Sequence, residues 1–110
     1  MIVLDDKIFI AGGTGMVGSA IIRALKKHGY NKLLSPDRTE LNLFDIKSVK
    51  SWFFTNQPNI VIIAAAKVGG IYANKTYPGD FLIENLKIQT NIIESAKETG
   101  VKRLLFLGSS

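Results

Sequence analysis

Short apolar runs alternate along the chain with longer segments in which apolar residues recur every three or four positions. Runs of the first kind predict four strands, at about 7–11, 32–35, 59–66 and 102–107. Periodic segments predict three amphipathic helices, at about 16–28, 46–55 and 80–99. Alternation of strand and helix predicts a parallel sheet with right-handed crossovers. We therefore expect an α/β fold: a Rossmann-like parallel sheet flanked by helices, incomplete at about four strands and three helices.

The kind of apolar pattern also predicts burial. In the first, third and fourth strands the apolar residues run together instead of alternating, which predicts strands buried on both faces. In the first helix one buried stripe is predicted, made of Met16, Val17, Ala20, Ile21, Ala24 and Leu25. Asp45 is the expected N-cap of the second helix, and Trp52 is expected in the core.

A glycine cluster joins the first strand to the first helix. Gly12, Gly15 and Gly18 are spaced G-x-x-G-x-x-G, and Gly13, Gly15 and Gly18 also satisfy G-x-G-x-x-G. In either register one glycine permits the turn, one removes a Cβ from the path of a pyrophosphate, and one lets helix and strand pack closely. Because the helix that follows begins with unpaired N–H groups, a dinucleotide is the expected ligand.

The residues after the second strand give conflicting indications about the cofactor. Asp37 lies 19 positions beyond Gly18, about where an acidic residue binds the ribose 2′-hydroxyl of NAD. Arg38 suits the 2′-phosphate of NADP instead. Both residues also suit a plain turn, Ser-Pro-Asp-Arg. The spacing alone leaves these readings open.

Two further stretches fall on the same predicted edge of the sheet. Ala64, Ala65 and Ala66 end the third strand, and such small side chains allow a cofactor or a tightly packed helix to approach the backbone. The segment 67–79 that follows is long for a connection and rich in glycine and tyrosine. Ligands of open parallel sheets bind at this carboxyl edge.

Composition excludes several classes of function. The chain has 110 residues, no cysteine and one histidine, so we expect one domain and no metal site. The net charge of +5 is spread over several helices, which argues against nucleic-acid binding. No apolar run approaches the roughly 18 residues of a membrane span, and the N-terminus has no secretory pattern. We therefore expect a cytoplasmic protein that binds no membrane.

Four segments together resemble the extended short-chain dehydrogenase/reductases, and among them the GDP-L-fucose synthase family. They are IAGGTGMVGSAI, ELNLFD, AAAKVGGIYANKTYPGDF and LLFLGSS. The alanine-lysine segment is much more specific than the glycine motif. The resemblance implies an NADPH-dependent epimerase and reductase of a nucleotide sugar, GDP-4-keto-6-deoxy-mannose, that acts as a homodimer.

The resemblance also implies roles for individual residues. It assigns Arg38 to the 2′-phosphate of NADP and Asn42 with Leu43 to the adenine. Ser109 matches the serine of the Ser-Tyr-Lys triad and would polarise the ketone. The remaining cofactor contacts are implied for the glycine turn and the end of the third strand: Gly12, Gly13, Thr14, Gly15, Met16, Val17, Gly18, Ala64, Ala65, Ala66 and Lys67.

The catalytic tyrosine and lysine of that family form a Y-x-x-x-K pair, and none of the three tyrosines here has a lysine four positions on. We therefore expect residues 1–110 to be an N-terminal NAD(P)-binding part, without the catalytic pair or a substrate domain, and inactive alone. Two alternatives stay open: an NAD-dependent nucleotide-sugar epimerase or dehydratase, which Asp37 would suit, and a non-catalytic nucleotide-binding module.

Overall fold

The structure, a computed structural model, describes residues 2–64 and 78–107, except for the side chains of 78–82. Its strands are β1 (Ile8–Ala11), β2 (Leu33–Leu34), β3 (Ile60–Ala64) and β4 (Arg103–Leu107), and its helices are α1 (Met16–Lys27), α2 (Ile46–Asn56) and α3 (Pro78–Thr99). All the strand pairs are parallel, and the order across the sheet is β2-β1-β3-β4. The predicted α/β fold is confirmed.

One face of the sheet packs against α2 and α3. Phe9 lies at the centre of this layer, with its ring 5.0 Å from that of Trp52 and 5.1 Å from that of Phe53. The expected core position of Trp52 is thus confirmed. Buried residues from four elements complete the layer: Ala11, Val49, Val61, Ile63, Ile88, Ile92 and Ala96. This layer therefore ties α3 to the strands that carry the candidate site.

The other face of the sheet packs against α1, through Ile21, Ile22 and Leu25. The predicted stripe was wrong at Ala20 and Ala24, which are exposed, and in its first turn, where Met16 is 84% exposed and Val17 43% exposed. α1 begins five residues after β1 ends. Its first turn therefore extends past the carboxyl edge of the sheet, and these two side chains have no strand beneath them.

β4 is the second place where the predicted burial was wrong. Four of its apolar side chains are between 37% and 47% exposed: Leu104, Leu105, Phe106 and Leu107. β4 is the last strand in the sheet order. Leu104 and Phe106 pair in register with Val61 and Ile63, so they extend the α2/α3 layer. They remain exposed because no described helix reaches this edge.

Polar groups close the amino end of the sheet. The Asp6 carboxylate accepts a hydrogen bond from Val3 N at 2.9 Å and forms a 3.0 Å ion pair with Lys102 Nζ. Asn59 Oδ1 accepts from Lys7 N at 2.8 Å, and Lys7 Nζ donates to Asn56 O at 3.1 Å. These bonds join the starts of β1, β3 and β4.

Candidate functional site

The glycine turn lies at the opposite, carboxyl end of β1. Gly12 has φ +85°, a conformation that side chains disfavour, and a Cβ there would overlap the carbonyl oxygen of Ala64. Gly15 N donates to Gly12 O at 3.1 Å and closes the turn. Gly12 therefore serves the sharp reversal that the sequence predicts for the first glycine.

Gly18 serves the close packing of α1 on this turn. It is the buried residue of α1, and a Cβ there would overlap the Gly12 carbonyl oxygen and lie 2.6 Å from the carbonyl carbon. Gly13 is also crowded, because its Cβ would overlap Ser35 Oγ. The turn is thus pinned against α1 on one side and against the end of β2 on the other.

Gly15 differs from the other glycines of the turn. The nearest heavy atom to a Cβ at this position is Gly12 O, at an ordinary van der Waals distance of 3.4 Å. Its φ of −76° and ψ of 173° are open to any residue. Packing within the described protein therefore gives no reason for a glycine here, whereas a ligand in contact with the backbone does.

The start of α1 suits an anion. Gly15 is the N-cap and offers no side chain to the first N–H groups, and the first turn of α1 contains no acidic residue. The N-terminal end of a helix carries a partial positive charge. An anion at this end would therefore meet both the backbone N–H groups and the favourable end of the helix dipole.

A cavity of about 700 Å³ opens beside this turn. Its volume falls within the range of nucleotide and small-molecule sites. It brings together Gly12, Gly13 and Thr14 from the turn with residues that follow β2 and one residue of α3. These others are Ser35, Pro36, Asp37, Arg38, Thr39, Leu41, Asn42, Leu43, Phe44 and Ile88.

Six of the residues predicted for the cofactor line this cavity: Gly12, Gly13, Thr14, Arg38, Asn42 and Leu43. Gly15, Met16, Val17 and Gly18 do not line it, although they continue the same turn. Ala64 is buried beneath Gly12 and is 1% exposed. Ala65, Ala66, Lys67 and Ser109 lie outside the described residues.

Sequence reasoning missed Phe44 and Ile88 as lining residues. Phe44 is 45% exposed at the cavity, and Ile88 is 4% exposed at its floor. Ile88 belongs to the apolar stripe of α3, whose periodicity marks it only as a core residue. Phe44 follows the adenine-side segment directly, and an aromatic side chain at that place is a signal for ring stacking.

Hydrogen bonds within the turn 37–40 fix it above the cavity. Asp37 Oδ1 accepts from Thr39 Oγ1 at 2.6 Å, from Thr39 N at 2.9 Å and from Glu40 N at 3.0 Å. Glu40 Oε1 in turn accepts from Asp37 N at 3.1 Å. The hydrogen bond from the Thr39 hydroxyl, followed by that from the Glu40 backbone, lowers the pKa of Asp37. Asp37 is thus an ionised cap of a single helical turn.

The segment after this turn is held from α3. Asn91 Nδ2 donates to Leu43 O at 2.9 Å, across 48 residues of sequence. Asn42 Oδ1 accepts from Phe44 N at 3.0 Å. Asp45 then caps α2, as predicted, by accepting from Lys47 N. The backbone around Asn42 and Leu43 is therefore fixed by contacts that leave the cavity open.

The lining chemistry suits an adenosine with a phosphate at its ribose. Leu41, Leu43 and Ile88 supply apolar surface, and Arg38 supplies a cation at the mouth. Among the described residues the Arg38 guanidinium makes no ion pair with a carboxylate. The cavity thus offers an apolar surface and a cationic fork, and the N-terminus of α1 follows the glycine turn that lines it.

Two negative findings hold for residues 2–64 and 78–107. They contain no group of three or more His, Cys, Asp or Glu side chains placed to hold a metal ion. None of their helices is both long and apolar enough to cross a bilayer.

The chain matches known proteins over almost all its length. Residues 8–110 match the sequence profile of the NAD dependent epimerase/dehydratase family. GDP-L-fucose synthase 1 of Arabidopsis thaliana is 57% identical over 104 residues, which are 94% of this chain and 32% of that protein.

Solved structures give the same picture. CJ1428, a GDP-D-glycero-L-gluco-heptose synthase of Campylobacter jejuni in the presence of NADPH, is 36% identical with a TM-score of 0.91, over 100% of this chain and 32% of that one. A GDP-L-fucose synthetase of Naegleria fowleri bound to NADP is 30% identical with a TM-score of 0.80, over 96% of this chain and 32% of that one. The chain thus spans about a third of the length of these relatives.

Proposed function

The chain belongs to the NAD dependent epimerase/dehydratase family, and from this membership we propose that it is the NADPH-binding part of a nucleotide-sugar epimerase and reductase. The proposed reaction converts GDP-4-keto-6-deoxy-mannose to GDP-L-fucose. The observation that carries the proposal is the cavity that joins the glycine turn to Arg38 at the carboxyl edge of the sheet.

The cavity and the start of α1 that continues its glycine turn each have a role in holding the dinucleotide. The backbone at Gly15 and the N-terminus of α1 bind the pyrophosphate, because there the main chain is open and the helix end is positive. Arg38 pairs with the 2′-phosphate, and the apolar floor packs against the adenine. Gly12, Gly13 and Gly18 keep the turn in the shape that makes these contacts.

NADPH would supply the hydride for reduction of the sugar ketone. We assign to Ser109 the hydrogen bond that polarises that ketone, because a hydroxyl donates to a developing alkoxide without adding charge. The general acid that protonates the alkoxide comes from outside these 110 residues, which hold no Y-x-x-x-K pair.

The substrate, the assembly and the location are also parts of the proposal. The relatives described above include two GDP-L-fucose synthases and one GDP-heptose synthase, and the higher identity to the Arabidopsis enzyme favours the fucose pathway substrate. A homodimer is supported by the exposed apolar side chains of α3 and β4, which a protein surface would cover. A cytoplasmic location is the last part of the proposal.

The test is to titrate NADPH and, separately, NADH into the native polypeptide, which includes any sequence that flanks these residues. In Gly15→Ala the new Cβ would occupy the place of the pyrophosphate, so binding of both dinucleotides should weaken about tenfold or more. The free energy of unfolding should change by less than about 1 kcal/mol, since the site tolerates a Cβ.

Arg23→Ala is the matched control, because it removes a cation from the exposed surface of the same helix. It should leave both affinities unchanged. Wild-type binding of neither dinucleotide would refute the proposed cofactor role, and so would a Gly15→Ala variant that binds as well as wild type. Once binding is established, the reaction is tested by formation of GDP-L-fucose from GDP-4-keto-6-deoxy-mannose and NADPH. Turnover of a GDP-linked keto-heptose but not of GDP-4-keto-6-deoxy-mannose would contradict the proposed substrate.

A further inference from the structure

Asp37 lies at a position where an acidic residue usually favours NAD, but its carboxylate accepts hydrogen bonds from its own turn. Oδ1 accepts three hydrogen bonds, all from Thr39 and Glu40. These three hydrogen bonds fix the orientation of the carboxylate within its own turn. Its position in the sequence therefore does not establish that it binds a ribose hydroxyl.

The turn closed by Asp37 is the one that carries Arg38. Glu40 Oε1 accepts from Asp37 N while Asp37 Oδ1 accepts from Glu40 N, a reciprocal pair that clamps both ends of the segment. Backbone bonds from Glu40 N and Leu41 N to Asp37 O complete one helical turn. Arg38 lies inside this clamp and faces the cavity.

We propose that Asp37 is a positioning residue for NADPH, which fixes the turn that presents the Arg38 guanidinium to the 2′-phosphate. This inference rests on the proposed function. Arginine recognises phosphate through a planar fork of donors, so its orientation matters as much as its charge. Within the described residues Arg38 has no carboxylate partner to orient it, and the backbone clamp supplies that orientation.

Electrostatics alone predicts that removal of Asp37 changes NADPH affinity in the opposite direction. The direction of that change therefore tests the proposal. A carboxylate beside a 2′-phosphate repels it, so removal of a mere ribose ligand should strengthen NADPH binding and weaken NADH binding. Removal of a clamp should weaken NADPH binding, because Arg38 loses its orientation, and should leave NADH binding nearly unchanged.

The experiment measures the dissociation constants of NADPH and NADH for the native polypeptide and five variants. Asp37→Ala should weaken NADPH binding about fivefold, the loss expected of an N-cap, and change NADH binding less than about twofold. Asp37→Ser keeps a capping oxygen without the charge and should bind NADPH at least as well as wild type. Glu40→Ala opens the other end of the clamp and should repeat the Asp37→Ala effect more weakly.

Arg38→Ala and the double variant Asp37→Ala/Arg38→Ala distinguish positioning from a general structural effect. Once Arg38 is absent, loss of Asp37 should not change NADPH binding further. A double variant that still loses about fivefold would overturn the inference, as would an Asp37→Ala variant with stronger NADPH or weaker NADH binding. Wild-type binding of neither dinucleotide would instead refute the proposed function. Should Asp37→Ala fail to fold, the same test compares the effect of Glu40→Ala on NADPH binding in wild type with its effect in Arg38→Ala.

Discussion

The two ends of the sheet use their polar groups in opposite ways. At the amino end, the Asp6 carboxylate and the Asn59 amide oxygen bond to other parts of the protein, namely Val3, Lys102 and Lys7. At the carboxyl end, Arg38 and the turn residues Gly12 to Thr14 line a cavity of about 700 Å³, and the open backbone at Gly15 continues the same turn. The same four strands thus carry a closed end and an open one.

This contrast separates the residues that serve the fold from those that serve a ligand. The helix N-termini of a βαβ unit lie at the carboxyl end of the sheet, and their partial positive charge attracts anions there. The amino end has no such task, and its polar groups connect strands that are distant in sequence. Amino-end variants should therefore change stability, and carboxyl-end variants should change binding.

Gly18→Ala is the exception to this rule, and we expect it to lower stability more than any other variant proposed here. Although Gly18 lies at the carboxyl end, its Cβ would overlap the Gly12 carbonyl group, whose backbone cannot move without distorting the turn. We expect the free energy of unfolding to fall by about 3 kcal/mol, the upper range for overpacking. Urea denaturation measures it, with Gly15→Ala as the matched glycine variant. Equal stability of the two variants would contradict the division of roles within the turn.

Asn91→Ala should have an intermediate effect on both the stability of the protein and its affinity for NADPH. The amide of Asn91 donates to Leu43 O at 2.9 Å, so its loss leaves a carbonyl group of the cavity wall unpaired. We expect about 1 kcal/mol of destabilisation and NADPH binding weaker by about twofold.

Ser95→Ala is the control for Asn91→Ala. The buried Ser95 hydroxyl donates within α3, to Asn91 O at 2.8 Å, and does not touch the cavity wall. It should lower stability without changing the affinity for NADPH. A loss of affinity in Ser95→Ala as large as that in Asn91→Ala would mean that α3 acts on the site through its stability alone.

Local signals in the sequence were sufficient for the elements and for the glycine turn. Four apolar runs, three helical periods and the Asp45 cap predict the observed order, because these depend on residues near in sequence. The separate tasks of Gly12 and Gly18 also follow from their spacing, and the structure agrees with them.

Features that depend on distant residues could not be predicted in this way. The exposure of Phe106 depends on β4 being the last strand of the sheet, which no local pattern reveals. Ile88 reaches the cavity floor, and Asn91 holds Leu43, only because α3 packs beside the segment after β2. Asp37 is a different case, because its cap depends on Thr39 and Glu40, which are near in sequence; Asp-x-x-Glu was a local signal of the cap that the spacing from the glycine motif drew attention away from.

The smallest effect we expect is a pH dependence of stability that arises from Asp6 at the amino end of the sheet. The hydrogen bond from Val3 N, together with the ion pair to Lys102, lowers the pKa of Asp6 below the usual range of an aspartate. Because the unfolded chain then binds the proton more tightly, this contribution to stability is complete above about pH 4 and is lost as the pH falls through the lower native pKa. Asp6→Asn lacks it at every pH.

The gap in urea midpoint between wild type and Asp6→Asn should therefore narrow as the pH is lowered from 7 towards 3. Other carboxylates titrate in both proteins and cancel in the difference. Asp5→Asn is the matched control, since Asp5 pairs with Lys32 through a side chain that is 85% exposed, and such a surface pair contributes little. Affinity for NADPH at neutral pH should be the same in all three proteins, because the amino end lies across the sheet from the cavity. A gap that stays constant with pH would show that Asp6 stabilises by packing, and a loss of NADPH affinity would mean that the two ends of the sheet are coupled.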